Sequence, residues 1–440
     1  MTEKVHMVGI CGSGMSSIAL WYRSRGLDVT GCDRNPGENL PELEEAGIKV
    51  YARHDPEHVR NSDRVVFSAA VPFDHMELQT ARDLGIPVFR RSEALARLAN
   101  SSRLLAVAGA HGKTTVTAMI GWILQETGHN PTVMLGGSVR PWKGNFRRGG
   151  KLSVVEADEY DRTFLRLRPS HSAVTSYAAE HLECYGTEQA LSMAYGIFLE
   201  MTRPGGTVVV PAENRDLSVW AERIGRKVIA TGPEGDFNCR HIQTEGWQQE
   251  YELEGKTGVL PMPGRHNLRN ASTAMALARA AGAGVEEAMK ALKSFPGISR
   301  RLEKLGRRGS VDIVSDYAHH PDEIEAALKT VKDIYKGTAA VVFQPHLYSR
   351  TAAQYQQMGS ALSIADDVMV LPIYPAREEP LPGVTSELVV KACRQSGGTC
   401  SPVYTDEAIR MILELDPEVV VFMGAGSVDS LAREMAGDPA

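Results

Sequence analysis

Residues 104–124 read LLAVAGAHGKTTVTAMIGWIL, and this stretch decides how the chain is interpreted. Its apolar start, Leu104–Ala108, predicts a strand that runs into a glycine turn, and a helix is expected from Val116 to Leu124. Backbone N–H groups of such a turn and of the helix N-terminus together form a cradle for polyphosphate. The Lys113 ammonium would reach the outer phosphates, and the Thr114 hydroxyl would hold Mg²⁺. A nucleoside triphosphate such as ATP is therefore the first substrate to consider.

The glycine spacing of this loop differs from the usual phosphate-binding pattern. The pattern G-x-x-x-x-G-K-[ST] requires a glycine where Val107 stands, whereas this chain has G-x-x-G-K-T. The sequence of strand, turn, lysine, threonine and helix still favours phosphate binding over an ordinary strand-to-helix turn with a surface lysine. The residues expected to contact the nucleotide here are Gly109, Ala110, His111, Gly112, Lys113, Thr114 and Thr115.

The composition is that of a soluble protein with several domains. At 440 residues the chain is too long for one ordinary core, so two to four domains are expected. The net charge of −6 is spread along the chain rather than gathered in a basic patch, so neither a nucleic-acid nor a membrane partner is expected. The six cysteines are scattered without a C-x-x-C pair, which fits reduced thiols better than a disulfide framework or a zinc site. We see no long apolar run and no secretory leader, so a cytoplasmic location is expected.

The first hundred residues alternate strand and helix, a pattern that predicts a doubly wound parallel sheet. The turn Gly9-Ile10-Cys11-Gly12-Ser13-Gly14 has the glycines of a nucleotide-binding loop, and Asp33 follows about twenty residues on. Its spacing is G-x-x-G-x-G rather than G-x-G-x-x-G, so a dinucleotide dehydrogenase is a minor alternative. The strands predicted here are Val5–Ile10, Asp28–Cys32, Arg64–Ser68 and Ile86–Phe89.

Two polar or turn-rich stretches divide the remainder, so three domains are predicted: residues 1–100, 101–297 and 298–440. The patch at 99–103 precedes the phosphate-binding strand, and a Phe295-Pro296-Gly297 turn marks the second boundary. A β-rich insert is expected around Lys227–Leu260, with a hairpin over Glu250–Val259. The predicted strands outside the insert are Lys151–Val155, Ser172–Thr175, Thr207–Val210, Val311–Ser315, Ala339–Phe343, Asp367–Leu371 and Val419–Met423.

A group of acids follows the strand that precedes Glu156. A carboxylate at the carboxyl end of such a strand can hold Mg²⁺ beside a phosphate loop. Asp158, Glu159 and Asp161 lie close by in sequence, and this density of charge is costly unless a cation or substrate offsets it. A solvated acidic loop is the alternative interpretation. His181 follows the next strand and is a candidate metal ligand, although a lone loop histidine is more often structural.

Further polar groups occur around the predicted third domain. Asn267 and Asn270 lie one turn apart at a helix start, and either capping or recognition of a base edge explains them. Segments 315–321 and 344–351 place histidines and an arginine after two strands, where they would converge on one crevice. The pair Arg300-Arg301 suits a phosphate or carboxylate clamp, or a solvated basic turn.

Together these motifs resemble those of the Mur ligase family over essentially the whole chain, and within it the branch that adds L-alanine. The resemblance rests on the phosphate loop, Glu156-Ala157-Asp158-Glu159, Gly264-Arg265-His266-Asn267 and Arg300-Arg301. The alanine-adding branch is indicated by the Gly9–Met15 turn, Asp316-Tyr317-Ala318-His319-His320-Pro321, Gln344-Pro345-His346 through Thr351, Tyr374–Glu378 and Gly424-Ala425-Gly426. Many relatives of that branch carry Asn and Asp where this chain has Ser176 and Glu180.

The resemblance implies an α/β fold with a Rossmann-like N-terminal domain for the UDP-sugar, a P-loop ATPase-like central domain with a parallel sheet for ATP, and a Rossmann-like C-terminal domain for the amino acid. It implies that the lactyl carboxylate of UDP-N-acetylmuramate attacks the γ-phosphate of ATP, and that the amine of L-alanine then attacks the acyl phosphate. The implied metal ligands are Thr114, Glu156 and His181; the catalytic residues are Lys113, His181, His319, His346 and Arg350; the further ATP contacts are Asn267, Asn270 and Arg301; the UDP-sugar contacts are Gly12, Ser13, Gly14, Asp33 and Ser68.

Two other functions stay open from the sequence. A ligase of the same family that attaches a preformed peptide to UDP-N-acetylmuramate would share much of the first two domains. A nucleotide-binding regulator without catalysis is the alternative of another class, although intact Lys113, Glu156, His181 and Arg350 disfavour it. The expected partners are ATP with Mg²⁺, UDP-N-acetylmuramate and L-alanine, without nucleic acid or membrane, in a monomer or weak homodimer.

Overall fold

The computed structural model describes residues 2–159, 162–177, 185–376 and 378–437, without the side chain of Glu38. The chain divides into two compact units. Unit 1 comprises Met1–Arg240, Tyr251–Val259 and Leu268–Pro296, and unit 2 comprises His241–Glu250, Leu260–Asn267 and Gly297–Ala440.

Unit 1 begins with a five-stranded sheet of order β3-β2-β1-β4-β5, and its paired strands are parallel. Because β1 pairs with β2 on one side and β4 on the other, the strand order reverses beside β1, where doubly wound sheets bind ligands. The strands are β1 Lys4–Val8, β2 Asp28–Cys32, β3 Lys49–Tyr51, β4 Arg64–Phe67 and β5 Val88–Arg90.

A seven-stranded sheet follows in unit 1, in the order β12-β11-β10-β6-β9-β7-β8. All its pairs are parallel except the edge pair β7–β8. The phosphate-loop strand β6 lies between β9 and β10, so the ends of three neighbouring strands meet at one edge. The strands are β6 Arg103–Ala108, β7 Thr132–Val139, β8 Gly144–Arg147, β9 Leu152–Glu156, β10 His171–Val174, β11 Thr207–Pro211 and β12 Lys227–Thr231.

The predicted β-rich insert is smaller than expected. Its first stretch is strand β12, which pairs in parallel with β11 (Val208 opposite Val228) and so belongs to the large sheet. The insert itself is a three-stranded sheet of β13 Arg240–Glu245, β14 Gln248–Leu253 and β15 Lys256–Leu260. The sequence prediction was wrong because a short β-branched run is equally compatible with a parallel and an antiparallel partner.

Unit 2 contains a six-stranded sheet of order β16-β17-β21-β18-β19-β20. Only the edge strand β16 is antiparallel, while the other pairs are parallel. The predicted α/β class is therefore confirmed. The strands are β16 Glu303–Arg308, β17 Val311–Asp316, β18 Ala339–Phe343, β19 Asp367–Val370, β20 Cys400–Pro402 and β21 Val419–Met423.

Helices cover the sheets, and short 3-10 turns lie at 37–39, 56–59, 140–142 and 163–166. No helix among the described residues is long and apolar enough to cross a membrane. The helices described are α1 Ser13–Ser24, α2 Leu40–Glu45, α3 Met76–Asp83, α4 Arg91–Asn100, α5 Lys113–Glu126, α6 Glu188–Glu200, α7 Arg215–Arg223, α8 Arg265–Ala281, α9 Val285–Lys293, α10 Pro321–Ile334, α11 Tyr348–Leu362, α12 Glu387–Gln395, α13 Thr405–Leu415 and α14 Val428–Ala436.

Candidate active site

The phosphate loop joins β6 to α5, and two of its glycines adopt positive φ angles. Gly109 has φ of +130°, and Gly112, the residue before the helix, has φ of +82°. A Cβ on Gly112 would lie 2.4 Å from Asn270 Oδ1, so the loop also needs glycine for space. Because Gly112 turns the chain at once into helical geometry, α5 begins at Lys113, three residues before the predicted start. Thr115 is buried within the first turn of α5.

Lys113 points back over the loop and pairs with an acid. Its Nζ lies 2.6 Å from the Gly109 carbonyl oxygen and 2.8 Å from Glu159 Oε2. Burial disfavours the charged form of Lys113, but the carboxylates of Glu159, Glu156 and Asp158 outweigh this and raise its pKa. Glu159 also accepts the N–H of Gly109 at 2.7 Å. The ammonium that would reach a phosphate is therefore charged and held in place.

Glu156 is the last residue of β9 and lies beside the start of α5. The Thr114 hydroxyl donates to its two carboxylate oxygens at 3.0 and 2.9 Å, and the N–H of Gly136 donates at 2.7 Å. Burial disfavours the charged carboxylate of Glu156 and raises its pKa above the usual range. A cation bound beside it would favour the ionised form. A hydroxyl and a carboxylate oxygen in contact are the hard donors that Mg²⁺ prefers.

The segment after β10 holds the loop from its other side. Thr175 Oγ1 donates to the His111 carbonyl at 2.5 Å, and Ser176 Oγ accepts the N–H of His111 at 2.8 Å. The N–H of Ala110 donates to the Ser176 carbonyl at 3.1 Å. Ser176 is therefore a direct support of the phosphate loop.

Three residues of the acidic and histidine motifs lie outside the described residues. They are Asp161, Glu180 and the predicted metal ligand His181. Their roles therefore stay predictions from the sequence.

The N-terminal glycine turn is fixed by Asp33. Its carboxylate accepts the N–H of Cys11 at 3.0 Å and of Asn35 at 3.1 Å. Gly9, with φ of +77°, packs against Ser68, since a Cβ there would lie 3.1 Å from the Ser68 Cβ. Asp33 and Ser68 thus follow β2 and β4, the strands on either side of β1, and Asp33 shapes the loop through backbone contacts.

Two residues that the sequence did not single out join this turn to the central domain. Asn145 Nδ2 donates to the carbonyl and hydroxyl oxygens of Ser13 at 2.8 and 3.0 Å. Arg91 covers Gly14, because a Cβ there would lie 2.7 Å from its Nη1, and its Nη2 lies 3.5 Å from Asp158 Oδ2. The α1 N-terminus, which includes Gly12, therefore has the Arg91 cation beside it. Neither Asn145 nor Arg91 lies in a sequence motif that could have revealed these contacts.

Unit 2 brings together the residues expected near the amino acid. The rings of His319 and His346 lie 5.9 Å apart, and Arg350 Nη1 is 3.3 Å from His346 Nδ1. Burial lowers the pKa of both histidines to about 4, and the nearby Arg350 charge acts in the same direction. Both rings are therefore neutral beside a fixed guanidinium. The sequence had missed Glu323, in the first turn of α10, whose Oε2 lies 3.5 Å from His319 Nδ1; His319 lies before this helix, so helical spacing gave no signal for the pair.

The two arginines before β16 have different surroundings. Arg300 Nη2 donates to the carbonyl oxygens of Gly424 and Gly426 at 2.7 and 3.1 Å, so this side chain fixes the loop after β21. Arg301 stands 5.1 Å from the Tyr317 ring and makes a long ion pair of 3.8 Å with Glu323. Arg300 is thus held by backbone carbonyls, and the clamp stays a prediction from the sequence.

Asn267 and Asn270 have different roles at the start of α8. The Asn267 side chain is buried and its Nδ2 donates to the Pro263 carbonyl at 2.7 Å, a helix-start contact within unit 2. Asn270 belongs to unit 1, where its Oδ1 faces Gly112. Asn270 is therefore in contact with the phosphate loop.

Three family models match successive parts of the chain. The Mur ligase family catalytic domain matches residues 4–103, the Mur ligase middle domain residues 107–278, and the Mur ligase glutamate ligase domain residues 300–426.

Individual proteins are similar over the full length. A UDP-N-acetylmuramate–L-alanine ligase of Chlorobium phaeobacteroides is 38% identical over 459 residues, which cover 99% of this chain and 97% of that protein. The crystal structure of a UDP-N-acetylmuramate–alanine ligase from Thermotoga maritima has a TM-score of 0.82 at 28% identity, covering 99% and 98% of the two chains. A murein peptide ligase from Psychrobacter arcticus has the same fold, with a TM-score of 0.72 at 23% identity over 100% and 99% of the chains.

Proposed function

This chain belongs to the Mur ligase family, and we propose that it is the ATP-dependent ligase that joins L-alanine to the lactyl carboxylate of UDP-N-acetylmuramate. The reaction would serve the synthesis of peptidoglycan precursors in the cytoplasm. The observation that carries the proposal is the full-length similarity to alanine-adding ligases together with a phosphate loop whose lysine is ion-paired with Glu159.

The proposed reaction has two steps. The lactyl carboxylate attacks the γ-phosphorus of ATP, the bond to the β-γ bridging oxygen breaks, and ADP leaves. The neutral amine of L-alanine then attacks the carbonyl carbon of the acyl phosphate, loses a proton, and inorganic phosphate leaves as the amide forms. Lys113 and the loop N–H groups would stabilise the charge that develops on the transferred phosphoryl group.

Thr114 and Glu156 are the described residues that fit Mg²⁺, and His181 is added by the family resemblance. The bound ion would offset the negative charge of the phosphates. The Thr114–Glu156 contact supports this assignment, because burial of Glu156 makes its carboxylate favour a cation.

The histidine–arginine cluster of unit 2 is proposed to bind L-alanine. Arg350 carries a planar guanidinium that suits the amino-acid carboxylate. His319 and His346 are neutral, so they add no like charge beside an incoming ammonium. UDP-N-acetylmuramate is assigned to the glycine turn, with Gly12, Ser13, Gly14, Asp33 and Ser68. The Arg91 cation beside Gly14 supports a pyrophosphate there.

The rival within the family attaches a preformed peptide; similarity to murein peptide ligase structures at 23% and 24% identity shows a shared fold and does not favour this activity. One assay separates the two. The protein is incubated with UDP-N-acetylmuramate, ATP, Mg²⁺ and either each single amino acid or a tripeptide, and the products are weighed by mass spectrometry. We expect phosphate release and one new product with L-alanine. Turnover with the tripeptide alone would establish the rival, and no turnover with any acceptor would indicate a regulator.

A further inference from the structure

A cluster of histidines, one cysteine and one glutamate is buried in the N-terminal sheet, apart from the residues assigned to catalysis. His6 lies in β1, Cys32 ends β2, His58 lies in the 3-10 turn at 56–59, and Glu77 lies in the first turn of α3. The side chains of His6 and Glu77 are fully buried. One ligand atom from each of the four residues lies within 4.8 Å of all the others.

We propose that His6, Cys32, His58 and Glu77 form a structural site for a divalent transition metal, with zinc as its ion. A tetrahedral zinc ion bound at 2.0–2.3 Å separates its ligand atoms by about 3.4 Å. The separations here bracket that value: Cys32 Sγ is 3.0 Å from Glu77 Oε2, and His6 Nε2 is 3.7 Å from Glu77 Oε1. His58 Nδ1 lies 2.9 Å from the same Oε1. These ligand atoms are therefore spaced nearly as zinc requires, with Cys32 beside one carboxylate oxygen of Glu77 and the two histidines beside the other.

The His6 ring already has the orientation of a ligand. Its Nδ1 contacts Thr30 Oγ1 at 2.9 Å, while its Nε2 points into the cluster and has no hydrogen-bond partner among the described residues. Such a contact on the second ring nitrogen is the usual way in which proteins orient a metal-binding histidine.

The charges of the cluster are balanced by a divalent ion. The Glu77 carboxylate is fully buried and accepts the N–H of Asp55 at 3.1 Å. Zinc would displace the proton of the Cys32 thiol, so that Zn²⁺, a thiolate and a carboxylate sum to zero charge. Two imidazoles, a thiolate and a carboxylate are ligands that suit zinc.

Two neighbouring histidines are outside the proposed ligand set. His75 Nδ1 already accepts the N–H of Glu77 at 3.3 Å as the cap of α3. His54 Nδ1 lies 3.2 Å from Glu77 Oε2 and 3.1 Å from Cys32 Sγ, so it contacts two of the proposed ligands from outside the set. Four protein ligands without an open position are typical of a structural rather than a catalytic zinc site.

The ion would fix the carboxyl end of β2. Cys32 is followed by Asp33, whose carboxylate holds the glycine turn through the N–H of Cys11. Spacing rules for zinc sites could not reveal this cluster, because its ligands come from four separate elements rather than from paired cysteines.

The test uses the full-length protein with any affinity tag removed. Metal analysis of protein grown with added zinc should give about one zinc per chain. Chelation should then lower the melting temperature of the wild type, and added zinc should restore it. Titration of the chelated protein with Co²⁺ should give a thiolate-to-cobalt charge-transfer band.

Variants assign the ligands. Cys32→Ser should remove the charge-transfer band, and His58→Asn should weaken Co²⁺ binding at least tenfold. The control variants are Cys239→Ser, which replaces another buried thiol, and His241→Asn. Each should leave the charge-transfer band and the Co²⁺ affinity unchanged. Wild-type protein without stoichiometric zinc and without a cobalt band would overturn the proposal, as would a band that survives Cys32→Ser. The chelation experiment needs no variant, so a poorly folded variant does not decide the outcome.

Discussion

Lys113 and Glu159 form an ion pair, with 2.8 Å between Nζ and Oε2, in which the Glu159 side chain is 1% exposed. The same carboxylate accepts the Gly109 N–H at 2.7 Å, and the Tyr195 hydroxyl lies 3.3 Å from it. Glu159 therefore ties the lysine to the backbone of the loop that it serves. A triphosphate bound in the loop would be met by a cation already in position.

Replacing the lysine should therefore affect both activity and stability. We expect Lys113→Ala to lower kcat by at least about 10²–10³-fold, because the charge on the transferred phosphoryl group loses its cation. The free energy of unfolding should also fall by about 3 kcal/mol, because Glu159 is left as a buried, unpaired carboxylate. Phosphate release and urea unfolding measure the two effects.

The double variant Lys113→Ala/Glu159→Gln separates these effects. Removing the unpaired charge of Glu159 should restore most of the lost unfolding free energy, while the activity stays lost. Activity close to that of the wild type in either variant would contradict the proposed mechanism.

Glu156 provides a test of the proposed Mg²⁺ site. Gln is close in shape, and its amide could still accept the Gly136 N–H and contact Thr114. Because burial raises the pKa of Glu156, its ionised form costs stability, and Glu156→Gln should unfold no more easily than the wild type. The Mg²⁺ concentration for half-maximal phosphate release should rise at least tenfold. Glu45→Gln, at a side chain 71% exposed, is the control and should change neither quantity.

Much of the fold was predictable because its signals are local. Apolar runs such as Ala339–Phe343 and Val419–Met423 are strands with the predicted bounds, and the α/β class follows from their alternation with helices. The family resemblance is also confirmed by the comparisons. Short edge strands were missed, among them β3 and β20, because three residues carry too little periodicity.

The site was predictable where its residues share a motif and not where folding alone brings them together. Lys113 and Thr114 follow from the loop pattern, but the pairing of Glu159 with Lys113 spans 46 positions and has no sequence signal. The same holds for Arg91 at Gly14. The role of Arg300 was also open, because a phosphate clamp and a backbone anchor use the same guanidinium.

The unit 2 histidines should make stability depend on pH. Burial lowers the pKa of His319 and His346 to about 4, whereas an unfolded histidine titrates near 6.5. Between about pH 4 and 6.5 the unfolded chain therefore binds more protons than the native chain. The contribution of the two histidines to the unfolding free energy is complete above about pH 6.5 and is lost as the pH falls to about 4. Asp316, whose pKa burial raises to about 6, acts in the opposite direction, because its native form takes up a proton first.

Urea unfolding of the wild type and of His319→Gln/His346→Gln over this pH range isolates the histidine contribution. The difference in unfolding free energy should shrink as the pH is lowered from 7 to 4, since Asp316 is common to both proteins. A difference that stays constant with pH would show that neither ring has the lowered pKa.

Arg350 provides a test of the alanine site. Arg350→Lys keeps the charge but loses the planar pair of donors, so we expect the KM for L-alanine to rise about tenfold or more. The KM for ATP should be unchanged, because the assignment gives Arg350 no role there. Arg410→Lys, at a side chain 70% exposed, should leave both constants as they are. An equal rise in both KM values would argue for a general folding defect instead.

Gly112 offers a test in which backbone strain and space can be separated. Gly112 and Gly128 have nearly the same φ, +82° and +80°, but a Cβ on Gly128 meets nothing within 4 Å, whereas one on Gly112 would lie 2.4 Å from Asn270 Oδ1. Gly128→Ala should therefore lower the unfolding free energy by about 1 kcal/mol, because alanine is strained in the left-handed backbone conformation. The KM for ATP should stay unchanged.

Gly112→Ala should cost more, because Asn270 or the phosphate loop must also move. We expect at least a tenfold rise in the KM for ATP, measured by phosphate release, and a larger fall in the urea midpoint than for Gly128→Ala. Adding Asn270→Ala to Gly112→Ala removes Oδ1, the atom that the new Cβ would overlap. This double variant should recover stability. If Asn270 contacts the nucleotide, it should not recover the full ATP affinity. Equal behaviour of the two single variants would mean that φ alone decides and that Asn270 does not confine the loop.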